Sequence, residues 1–143
     1  MIYTDVISKI KTTLDGIDHI QEVFMYPLGE DNRITKYPAV ICLPDSMDNE
    51  FSDSGSNHRT MRFKLWVIVN TKNIEDKVLY EEVLPKAVDA VFNAFDAGWD
   101  FNTFEGHRVW ALLSSGLFSK SSDDKGSGAY AELTLTVKLN KDI

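Results

Sequence analysis

From residue 131 the chain alternates for nine residues without a break. Ala131, Leu133, Leu135, Val137 and Leu139 are apolar, and Glu132, Thr134, Thr136 and Lys138 stand between them. A period of two puts the two sets on opposite faces of a β-strand. One face is then buried, and the other meets water or a partner. The segment from Arg59 repeats the pattern: Met61, Phe63, Leu65, Val67 and Val69 alternate with Arg62, Lys64, Trp66 and Ile68. Two such strands demand a sheet, and an apolar sheet face demands a cover.

Helical spacing supplies that cover twice. Tyr3, Val6, Ile7, Ile10 and Leu14 recur at intervals of three and four, and Gly16 is a natural stop. A second stripe runs through Leu84, Val88, Val91, Phe92 and Phe95, opened by Glu75 and Asp76 and closed by Gly98. Pro85 falls inside it. An interior proline costs about 3 kcal/mol, so the spacing predicts a kink there, or a break with Pro85 opening a new helix.

Shorter strands are expected at Ile20 to Tyr26, at Tyr37 to Pro44 and at His107 to Phe118. Pro38 has no N–H to donate, which places it at a strand's start or on an edge. The stretches 45–58 and 119–128 are polar and predict two long loops, and Trp99 to Gly106 reads as a connection. The order αβββαββ predicts an α+β fold. Its sheet is antiparallel or mixed, of about five strands, with two helices packed on one face. The 143 residues suffice for a single domain spanning 1–143.

Motifs for chemistry are missing. His19, His58 and His107 are scattered, and no His-Glu-x-x-His or paired cysteine is present. The acidic stretch 45–58 fails the EF-hand pattern, with Met47 and Glu50 at positions that require an acid and a glycine. No nucleophile elbow, phosphate loop or dinucleotide fingerprint occurs. Hence no catalytic residue, cofactor or metal ligand is assigned. Cys42, the sole cysteine, lies in the apolar run Ala39 to Leu43 and reads as a small buried hydrophobe. The net charge of −7 disfavours binding to nucleic acid phosphates. No apolar run approaches the ~20 residues of a membrane span, and no signal peptide precedes the first helix, so a cytoplasmic site of synthesis is expected.

A surplus remains. Trp66, Trp110 and Leu112 fall on strand faces opposite the core set and need a cover of their own, from a helix or from a second subunit.

Taken together, the pattern resembles the phage tail terminator, or tail completion and neck, proteins. The resemblance rests on Lys36-Tyr37-Pro38-Ala39-Val40-Ile41 and on the strand Arg59 to Val69. It continues with Ala87-Val88-Asp89-Ala90-Val91-Phe92 and Ala131 to Val137, and it spans nearly the whole chain in element order. It implies a virion structural protein without catalysis, assembled in the host cytoplasm. Such a protein forms a ring, typically hexameric, that caps the tail tube and joins it to the head. Its implied partners are its own copies, the tail tube protein and a head-connector or neck protein. DNA passes through without specific binding. On this reading Asp45, Asp48, Glu50, Phe51, Asp53, Trp66 and Trp110 are the candidate interaction residues, with 45–58 facing the lumen or the tube. The alternatives are a small cytoplasmic α+β enzyme or ligand-binding domain, and an adaptor that binds a protein at a sheet edge.

Overall fold

A computed structural model describes residues 2–29, 33–53, 56–72, 74–98, 108–114, 118–123 and 126–142. Within these, the side chains at 2, 50–53, 56–57, 108, 119–123, 126–127 and 141–142 are not described. The fold is α+β. Helix α1 (Ile2–Asp15) leads into a short strand β1 (Glu22–Phe24) and then into two long strands, β2 (Ala39–Asp53) and β3 (Ser56–Asn70). A helical stretch follows: a single turn α2 (Asp76–Val78), a π-helical segment (Leu79–Val83) and α3 (Leu84–Ala97). Strands β4 (Arg108–Ser114), β5 (Phe118–Asp123) and β6 (Gly126–Asp142) complete the chain.

The strands form one mixed sheet in the order β1-β2-β3-β6-β4. Among the described strands only β1 and β2 run parallel; β2–β3, β3–β6, β4–β6 and β5–β6 are antiparallel. β4 pairs with the later half of β6 and β5 with its first half, so the two share one edge. Among the described residues the sheet therefore has six strands but is five positions wide.

The alternation read from the sequence sets the core. Met61, Phe63, Leu65, Val67 and Val69 of β3 are buried, as are Val109, Ala111 and Leu113 of β4 and Leu133, Leu135, Val137 and Leu139 of β6. They join one cluster with Val6, Ile10 and Leu14 of α1 and Leu84, Ala87, Val88, Val91 and Phe95 of α3. Both helices thus pack on the same face of the sheet, where each large apolar side chain contributes about 1.5–3 kcal/mol by leaving water. Gly16 and Gly98 donate their N–H groups to Thr12 and Ala94 (3.1 Å each), ending α1 and α3 where the sequence placed the stops.

Pro85 does not break the helix. It lies in the first turn of α3, but Val83 and Leu84 before it stay in the right-handed helical region, and the π-helical segment Leu79–Val83 stands where the break was expected. Pro38 ends just before β2, and the Tyr37–Pro38 peptide is cis.

Three expectations are corrected. Strand β1 is three residues long, not seven. Pro44 does not close β2: the strand passes through it to Asp53, with a register shift between Pro44 and Ser46. Most importantly, the described residues of 45–58 and 119–128 lie on strands, not in loops. The first belongs to the β2–β3 hairpin, where Met47 pairs with Met61, Asn49 with Arg59 and Asp53 with Ser56. The second belongs to the β5–β6 hairpin, paired from Phe118 with Ala131 to Asp123 with Gly126. In both, the backbone ladder holds residues whose side chains lack an apolar alternation. Trp99 to Gly106 lies outside the described residues.

Candidate interaction surface

The sheet's second face is the main feature left open. Among the described residues no helix lies over it. Its side chains come from alternate positions: Phe24, Ile41 and Leu43, then Arg62, Lys64, Trp66 and Ile68, then Tyr130, Glu132, Thr134, Thr136 and Lys138, and last Trp110 and Leu112. The register fixes who stands beside whom. Trp66 lies between Ile41 and Glu132, and Trp110 is opposite Lys138, which is itself opposite Thr60. Leu112 is opposite Thr136.

Position across the sheet decides exposure. Trp66, on the central strand β3, is half-buried by neighbours on both sides. Trp110 and Leu112, on the edge strand, have a neighbour on one side and are 42% and 64% exposed. The charges on this face are largely matched within it. Arg62 Nη1 donates to Asp48 Oδ2 at 2.7 Å and to Ser46 Oγ at 3.3 Å. Lys64 Nζ lies 3.6 Å from Glu132 Oε1 and donates to Thr134 Oγ1 at 3.3 Å. Both pairs are partly exposed, worth at most about 1 kcal/mol each. They orient the side chains more than they stabilise the fold.

The candidate interaction residues divide accordingly. Trp66 and Trp110 share the open face, and Asp48 joins it through Arg62. Asp45 sits at the register shift of β2, exposed and without a cross-strand partner. The backbones of Glu50, Phe51 and Asp53 pair with His58, Asn57 and Ser56, and their side chains lie outside the described set. The structure therefore places these acids on a strand ladder near a hairpin tip, not on a free loop. The helix side adds features the sequence reading did not single out. A cleft of about 450 Å³ lies against α3 and is lined by His19, Glu82, Lys86 and Asp89, among others. A second, of about 370 Å³, opens at the bulge of β2 beside Tyr3, Met47 and Met61.

Two titrating groups are displaced from their ordinary values. Glu22 accepts hydrogen bonds from the Thr35 hydroxyl, from Thr35 N (3.1 Å) and from Lys36 N (2.8 Å), which ties the 33–36 segment to β1. These bonds, led by the Thr35 hydroxyl, hold its carboxyl below the usual glutamate range. Burial pushes the Cys42 thiol up to about 12, so it is not a nucleophile at neutral pH. Among the described residues no group of three or more His, Cys, Asp or Glu side chains is arranged to hold a metal ion. No described helix is long and apolar enough to cross a membrane.

No protein-family model matches the chain, and no curated protein matches it in sequence.

Proposed function

We propose that this protein is a ring-forming structural component of a phage or prophage tail, a terminator or neck protein. It would cap the tail tube and join it to the head, and its place is the virion. The observation that carries this reading is the open sheet face, with Trp110 and Leu112 exposed at its edge. Apolar side chains on a sheet face that no described element covers suit burial against another chain. The acidic balance supports the reading as well: a negative lining repels phosphates and lets DNA slide without sticking. The resemblance in element order supplies the assembly. A ring arises when head-to-tail contacts close by rotation.

Mass in solution, with and without purified tail tubes, tests the proposal. A closed oligomer, or a monomer that oligomerises on tubes, is the expected result. A protein that stays monomeric in both conditions and leaves tube ends unoccupied in electron micrographs refutes it.

A further inference from the structure

The sheet has two open edges, and they match each other. β2 pairs with β1 only at Ala39–Ile41, so no described strand lies beside Ser46–Asp53 on that side. At the opposite edge, β4 (Arg108–Ser114) and β5 pair with β6 on one side, and no described strand lies on the other. Open edges invite pairing, and natural sheets blunt them with lysine, proline or short strands. Here the edges carry large apolar groups: Met47 on β2 (46% exposed), Trp110 and Leu112 on β4, and Phe118 on β5 (57%).

Three properties fit one edge to the other. The first is direction. β2 is antiparallel to β3, β3 to β6, and β6 to β4, so β2 and β4 run in opposite senses. Copies arranged head to tail around an axis roughly along the strands keep their strand sense. The β2 edge of one copy then meets the β4 edge of the next antiparallel, the stronger ladder. The second is length. From its first register shift to its end β2 offers eight residues, Ser46–Asp53, with a second shift between Phe51 and Asp53, and β4 offers seven, Arg108–Ser114. The third is charge. Ser46–Asp53 has three acids, Asp48, Glu50 and Asp53, and no base, whereas β4 has Arg108 and no acid.

We infer that two copies of this chain join by pairing Ser46–Asp53 of β2 with Arg108–Ser114 of β4 from the next copy, extending the sheet from subunit to subunit. The added strand gives Trp110 and Leu112 the cross-strand neighbours they lack in one chain. The inference deepens the ring reading by naming the subunit contact, and it rests on that reading.

Hydrogen exchange of the intact protein below and above its assembly concentration is the test, with mass measured in parallel. On assembly, amides in 46–53 and 108–114 should slow at least tenfold. Leu112→Glu sets an acid against the acidic edge and should raise the assembly concentration at least tenfold, while Leu112→Val keeps it within a fewfold. A ring that forms with both peptides exchanging as in the monomer overturns the edge contact and leaves the ring standing. Slowing at these edges on tail tubes while the bound copies do not oligomerise assigns the edges to the tube protein and overturns pairing between copies. A protein that never assembles removes the ring and the contact together.

Discussion

Trp110→Ala removes the largest exposed group on the open face, and its effect on assembly can be worked from exposure. A tryptophan buries up to ~250 Å². At 42% exposure, about 100 Å² of Trp110 is still in contact with water in the single chain. Burial of that area in a subunit contact, at ~25 cal/mol/Å², is worth about 2.5 kcal/mol. Since ~1.4 kcal/mol is a factor of ten, each contact should weaken roughly 60-fold. The single chain should lose only about 1 kcal/mol, mostly strand preference, because the position is at an edge. Sedimentation velocity over a concentration series reads the assembly midpoint, and circular dichroism reports whether the variant is folded. A folded Trp110→Ala that assembles at the wild-type concentration would falsify the assignment of this face to subunit contact.

Three further outcomes follow from the core and from the displaced groups. Phe95→Ala empties a fully buried site between α3 and the sheet and should cost about 3–5 kcal/mol, read as a lowered denaturant midpoint at unchanged m-value; a cost under ~1 kcal/mol would mean that α3 is not packed there. Cys42 should resist Ellman's reagent in the native protein and react only on unfolding, since its thiol is buried with a pKa raised to about 12; rapid native labelling would show that β2 is not packed under the helices. The Glu22 carboxyl is held below its ordinary value on folding, so its contribution to stability is full above ~4.3 and fades as pH falls through the lower folded value. Glu22→Gln should therefore remove part of the stability difference between pH 7 and pH 3, and an identical pH dependence in the variant would contradict the Thr35 and Lys36 contacts.

Much of this fold is legible in the sequence, and the boundary of what is legible has a physical cause. Where a helix covers the sheet, alternate positions must be apolar. The buried sets 61–69, 109–113 and 131–139 announce themselves for that reason. Where the strands run past the helices, the requirement disappears. On the helix-side row of the β2–β3 hairpin, Met47 and Asn49 are exposed although their partner Met61 is buried and Arg59 is half-buried. With both faces in water, polar residues are free to occupy every position, and a strand composed of Asp, Ser, Asn and Glu reads as a loop. The serines and lysine of β5 also give the segment no apolar alternation. The aromatic surplus was legible as a pattern of faces. Its gradation, with Trp66 sheltered and Trp110 exposed, needed the strand order, which no local period encodes.

That correction changes what the acidic segment can do. A free loop pays conformational entropy when it orders on a partner, on the order of 1–2 kcal/mol per residue of backbone. A segment already held in a ladder has met that cost during folding and presents its backbone N–H and C=O groups in a fixed line. Asp48, tied to Arg62, is oriented before any partner arrives. The same acids that oppose phosphate binding then also discourage random edge-to-edge aggregation, because two β2 edges repel each other. An edge that rejects its own kind while accepting a β4 edge of opposite sense and sign favours head-to-tail growth over a two-fold dimer. Only head-to-tail growth closes into a ring with more than two members.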